Sequence, residues 1–173
     1  MMRWILIVIA TLAARVAAVY GIGAMLPRTH SASLEGIVAR SPAEIAATIR
    51  DVSDYPSWRP GVVISDIAQS EGATTYVEQN GEDRISYRLT EPRQGEQFVA
   101  TITDSALPFG GAWTIDLVPE GVATRVRIRE DGEIRDPLYR FFAHFVFDYT
   151  SSMESYLTGL GATDVSTAPE RQH

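Results

Sequence analysis

The chain contains neither cysteine nor lysine in its 173 residues. Without cysteine there are no disulfides, thiol nucleophiles or thiolate metal ligands, although the compartment stays open because oxidising compartments also hold cysteine-free proteins. Without lysine there is no Schiff-base chemistry and no phosphate-loop lysine; all 15 basic side chains are arginine. Three scattered histidines argue against zinc, and no metal or cofactor is expected. No Gly-x-Ser-x-Gly elbow or Ser-His-Asp order is present. The net charge is −7; Arg3, Arg15 and Arg28 supply three positive charges and no acid precedes Leu34, so the rest of the chain carries −10. That balance repels phosphate backbones and argues against a nucleic-acid partner.

With 45% hydrophobic and 21% charged residues, the composition is that of a globular domain with a core. Residues 4–26 are apolar except for Arg15 and a few small or weakly polar side chains. At about 1.5 Å per residue this run is long enough to cross a bilayer. Arg15 opposes insertion by roughly 3 kcal/mol, while about ten Leu, Ile and Val residues return roughly 0.3–0.6 kcal/mol each. The rival reading is a cleaved signal, with Arg3 as its basic start and Val16-Ala17-Ala18 as a small-residue cleavage site. Either reading exports the domain if Arg3 stays inside, although Arg28 beyond the span weighs against that orientation. The domain limits read as an N-terminal anchor over 1–27, a linker over 28–33, a folded domain over 34–162 and a frayed tail over 163–173. Gly21-Ile22-Gly23 looks like the start of a dinucleotide fingerprint, but it lies inside the apolar run with no strand before it.

Inside the domain, residues 34–40 read as a first strand. Ser41-Pro42-Ala43-Glu44 is a helix start, with Ser41 as cap, proline in the first turn and Glu44 at the third position. Two prolines and a glycine in Tyr55-Pro56-Ser57-Trp58-Arg59-Pro60-Gly61 end the helical region. Six strand-like runs follow, over 62–69, 74–79, 84–90, 97–103, 112–118 and 123–130. Asn80-Gly81 marks a hairpin between the second and third of them. Ile85, Tyr87 and Leu89 alternate with Arg84, Ser86 and Arg88, which gives one apolar and one wet face. After Asp136-Pro137, apolar residues from Leu138 to Leu160 recur at helical spacing.

Strand, short helices, six strands and a long helix resembles the helix-grip order of the Bet v 1-like and START-like proteins. The chain is identified as a member of the SRPBCC superfamily (polyketide cyclase/dehydrase and lipid transport), and some bacterial members likewise have one N-terminal span. The resemblance is carried by Ser41-Pro42-Ala43-Glu44, by the segment from Asp54 to Gly61, and by Glu130-Asp131-Gly132-Glu133-Ile134-Arg135-Asp136-Pro137-Leu138-Tyr139-Arg140-Phe141. It implies an α+β fold: a curved antiparallel sheet of about seven strands around a long C-terminal helix, with two short helices after the first strand. It also implies an apolar cavity between sheet and helix.

Trp58, Tyr76, Tyr87, Phe98, Trp113, Phe141, Phe145 and Tyr149 are the aromatics expected on the inner faces, as cavity lining or as ordinary core. His144 and Asp148, four apart on a helix, form an acid–base pair or a solvated surface pair. Glu78, Asp66 and Asp116 lie in strands, where surface placement is the default and a buried carboxylate would be an acid–base candidate. Arg125, Arg127 and Arg129 face solvent, while Arg59 and Arg140 bind structural carbonyls, acids or a head group. No catalytic residue is assigned. The expected function is membrane-tethered binding or transport of a hydrophobic small molecule or lipid. A cyclase/dehydratase-type enzyme and a protein-interaction module with a packed core are the alternatives.

Overall fold

The computed structural model describes residues 2–145 and 150–168. Helix α1 (Met2–Met25) precedes strand β1 (Thr29–Val38). Helix α2 (Pro42–Arg50), a 3₁₀ turn (Val52–Asp54) and the short α3 (Tyr55–Trp58) lead to six strands: β2 (Val62–Ser70), β3 (Ala73–Asn80), β4 (Asp83–Arg93), β5 (Gln97–Ile102), β6 (Phe109–Glu120) and β7 (Ala123–Ile134). Helices α4 (Pro137–Phe145) and α5 (Ser151–Gly159) and strand β8 (Ala162–Thr167) complete the order. One antiparallel sheet runs β2-β3-β4-β5-β6-β7-β1-β8, and its inner face packs on α2 and α5 through Ile45, Ile49, Phe98, Ile128, Met153 and Leu157.

The local chemistry of α2 is as the sequence indicates. The Glu44 amide donates to Ser41 Oγ and the Ser41 amide donates to Glu44 Oε2, a reciprocal box that satisfies the helix start.

Four expectations are corrected. Residues 29–33 are not linker, since Thr29↔Glu133 through Ser33↔Arg129 are in register with β7. The runs read at 112–118 and 123–130 extend further than expected, since Phe109–Gly111 and Asp131–Ile134 are the paired ends of β6 and β7. Strand β8 builds residues 162–167, read as tail, onto β1, making eight strands rather than about seven. For residues 29–33 and for β8 the partner lies about 100 residues or more away in sequence, so local propensity carries little of the signal. Finally, the helical run at 138–160 divides its contacts. Helix α5 covers the sheet, whereas α4 lies mainly against α1.

The contact between α1 and α4 is close. A Cβ on Gly23 would lie 1.9 Å from the Pro137 carbonyl oxygen, so only glycine fits there. Arg140 Nε donates to the Gly23 carbonyl at 2.9 Å, placing a cation at the C-terminal end of α1 where the helix dipole favours it.

Candidate functional site: the half-open concave face

Side chains alternate across strands, and the register brings Tyr87, Ala100, Ile102, Trp113, Glu130 and His30 to the inner face at one end of the sheet. The opposite end is closed by Phe98, Ile115, Leu117 and Val126, all buried. The end near His30 is only half-buried, because α4 lies on α1 instead of covering it.

Tyr156 of α5 stands at the boundary. Its ring makes edge contacts with Tyr55, Trp58 and Trp113, at centroid separations of 6.4, 5.0 and 5.8 Å. The middle of the space between sheet and helix is thus filled by aromatic packing, and alongside it the partly buried inner-face residues Tyr87, Ala100, Ile102 and Trp113 outline a candidate groove. Beside Tyr156, Arg59 donates twice to Glu78, at 2.6 and 2.7 Å. The Arg59 guanidinium also sits 5.2, 5.4 and 5.9 Å from the rings of Tyr156, Tyr55 and Trp58. Burial opposes its charge, but the hydrogen bonds and charge of Glu78 outweigh this and raise its pKa. Burial pushes the Tyr156 hydroxyl up to about 12, and it is likewise the leading cause raising Tyr55, Tyr76 and Tyr87. All four are therefore neutral hydroxyls near pH 7. Trp58 Nε1 and Tyr156 OH are buried without a hydrogen-bond partner among the described residues.

At the mouth, Trp113 Nε1 donates to Glu130 Oε2 at 3.0 Å, and His30 Nε2 lies 3.2 Å from Glu130 Oε1. Gly132 makes room for the imidazole, since a Cβ there would meet the His30 ring at 2.2 Å. A depression of about 530 Å³, lined by Thr29, His30, Ser31, Gly111, Asp131, Gly132 and Glu133, opens at this end. A second, of about 380 Å³, lies beside Arg50, Glu91 and Phe98 at the other end.

Of the eight expected aromatics, Trp58, Tyr87 and Trp113 border the groove. Tyr76 and Phe98 are core, at 5% and 1% exposure. Phe141 and Phe145 are corrected: they lie on α4, with rings 4.9 Å apart and Phe145 58% exposed, because α4 packs on α1. Tyr149 and Asp148 lie outside the described residues, and His144 is exposed. Glu78 is not at the surface but mostly buried in its ion pair, and Arg125 and Arg127 pair with Glu35 on the convex face. His30 and Glu130 were not among the expected site residues. The signal for Glu130 was the alternation Val126, Ile128, Glu130; His30 had none while residues 28–33 read as linker.

A family model described as polyketide cyclase / dehydrase and lipid transport matches residues 29–161. Its description covers the handling of apolar small molecules. Among curated proteins no sequence relative matches. Of solved structures, the Zhui aromatase/cyclase from Streptomyces sp. R1128 is similar with TM-score 0.62 at 10% identity, over 76% of this chain and 91% of that one. A START superfamily protein from Mycobacterium smegmatis has TM-score 0.56 at 17% identity, over 78% and 94%. The di-domain ARO/CYC StfQ from the steffimycin biosynthetic pathway has TM-score 0.58 at 10% identity; there the match covers 75% of this chain and spans 50% of that one. At these identities the likeness shows the fold alone.

Proposed function

Since this chain belongs to the polyketide cyclase/dehydrase and lipid transport family, we propose that it binds a hydrophobic small molecule or lipid in the half-open groove while tethered to a membrane by α1. The observation that carries this reading is the graded concave face: packed beyond Tyr156, and only partly buried at Tyr87, Ala100, Ile102 and Trp113. Apolar burial supplies the affinity there, at roughly 25 cal/mol per Å². The unpartnered Trp58 Nε1 beside the groove offers a donor that fixes orientation. Helix α1 is long and apolar enough to span a bilayer, a test a signal sequence also passes, and its outer surface is exposed throughout the span window. In this reading residues 2–25 anchor a domain that runs from Thr29 through β8. Placement on the exported side goes with Arg3 remaining inside.

The test is extraction of the full chain, purified in mild detergent, with mass spectrometry of bound small molecules. The expected outcome is one apolar compound per chain, lost in Ala100→Trp, whose indole fills the groove. An empty wild-type chain, or equal occupancy in the filled variant, overturns the reading.

One observation favours cyclase or dehydratase chemistry in the same groove: the His30–Glu130 pair beside Trp113. A histidine oriented by a carboxylate is a general acid–base arrangement. If it acts as a dehydratase, His30→Gln retains a bound compound heavier by one water than that of the wild type; an identical compound removes this reading and leaves binding intact.

A further inference from the structure

Helix α4 carries large apolar side chains that the domain does not use. Leu138, Tyr139, Phe142 and Phe145 are 39%, 49%, 41% and 58% exposed. Leu138, Phe142 and Phe145 follow helical spacing, so they form one stripe with Tyr139 beside it. The opposite side holds Arg140 and Ala143, at 4% and 6% exposure. Helix α4 is therefore amphipathic with its apolar stripe turned outward, the reverse of what a helix covering a core requires.

What covers that stripe follows from its neighbour. Helix α4 is fixed to α1 near Gly23, two residues before the end of the helix at Met25, by the Gly23–Pro137 approach and the Arg140–Gly23 hydrogen bond. Helix α1 exposes Trp4, Leu12, Val16, Tyr20, Ile22 and Met25. The level of α1 at which α4 attaches is where a span leaves the hydrocarbon, and Tyr and Phe at that depth suit an interfacial helix.

We propose that α4 is an interfacial membrane helix: its Leu138–Tyr139–Phe142–Phe145 stripe lies in the head-group and acyl boundary of the bilayer that holds α1, and it sets the mouth of the groove on the membrane surface. The inference rests on the reading of α1 as a membrane span. Two links fix the geometry. The Ile134 amide donates to the Arg28 carbonyl at 2.7 Å, holding the end of β7 to the α1–β1 junction. His30 and Gly132 then sit on the first strand residues past that junction. The occupant is lipid of any head-group charge, because the stripe itself carries no cation and the domain is acidic.

The absence of cysteine makes the test clean. Full-length Phe142→Cys, Phe145→Cys, Val122→Cys and Leu12→Cys are each labelled with a nitroxide and reconstituted in phosphatidylcholine vesicles. Accessibility to oxygen is then compared with accessibility to a water-soluble nickel chelate. Val122, 96% exposed in the β6–β7 turn, is the aqueous reference, and Leu12 reports on the span. The expected result is an oxygen-to-nickel ratio several-fold higher at 142 and 145 than at 122, with the highest ratio at 12. A lipid-like ratio at 12 with water-like ratios at 142 and 145 overturns the interfacial helix and leaves the tether standing. Water-like ratios at 12 and 142 overturn both. Spin–spin broadening at 142 with low access to either reagent also overturns it, since the stripe then faces a second copy of the chain.

Discussion

At the scale of single residues, the Arg59–Glu78 pair is the feature with the largest energetic consequence. Side-chain exposures of 15% and 12% mean that removing one partner leaves the other charge largely buried. Glu78→Ala is expected to destabilise the chain by about 3 kcal/mol. The double change Arg59→Met with Glu78→Leu should recover most of that, because no buried charge remains. Denaturant unfolding followed by tryptophan fluorescence separates the two, and equal losses in both variants would reject the ion-pair account. Glu35 governs a different property. It faces Arg127 directly across β1 and β7 and receives hydrogen bonds from Arg127 and Arg125. Burial works against its charge, but the two arginines outweigh it and hold the carboxyl below its ordinary value of 4.5. A carboxyl depressed in the folded state contributes stability that is present above the unfolded pKa and lost as pH falls through the folded one. The melting temperature should therefore drop on acidification below about pH 4.5. Glu35→Gln should lower it at pH 7 and flatten that acid slope. A parallel pH profile in the variant would show that Glu35 is not a source of the acid loss.

Elements show what the sequence makes legible and what it hides. Strands β2 to β5 lie within a few residues of where alternation and the Asn80-Gly81 turn put them, since hairpin neighbours are local. Strand β8 was hidden because Ala162–Thr167 is short, polar and an edge, and the strand it pairs with, β1, lies far back in the chain. The same nonlocality hid His30. The helical character of 137–145 and 151–159 was legible, but periodicity gives a face and not the partner that face meets. Five of the eight expected lining aromatics consequently fall elsewhere: Tyr76 and Phe98 in the core, Phe141 and Phe145 on α4, and Tyr149 outside the described residues. Gly23, set aside as part of a false nucleotide motif, is the residue that selects the partner of α4. In Gly23→Leu the side chain collides with the Pro137 carbonyl and α4 must move. Hydrogen exchange across 137–145 should accelerate at least tenfold, with β5 to β7 unchanged. Unaltered exchange in α4 would mean that the helix is held by the domain rather than by α1.

For the whole molecule, the proposed tether makes the short junction between α1 and the sheet the part that decides what the groove reaches. Only Leu26, Pro27 and Arg28 separate α1 from β1, a reach of about 10–14 Å even when extended. If α1 is the membrane anchor proposed above, a groove held so close meets molecules that are already in, or at the surface of, its own bilayer, and it does not travel to a second membrane. Position should therefore act on the rate of loading and not on affinity. Inserting about 20 Gly/Ser residues after Pro27 lets the domain drift by roughly 25 Å in root-mean-square distance. It also frees the domain from the short junction that keeps Arg140 at Gly23, while the Ile134–Arg28 link stays within the domain. Uptake of a fluorescent lipid from the same vesicle is expected to slow several-fold, while final occupancy stays equal, because the groove residues themselves are untouched. Uptake at the wild-type rate would mean that ligand arrives through water and that α1 is an anchor without a role in delivery. Reduced final occupancy would mean instead that α4 or the junction forms part of the binding surface.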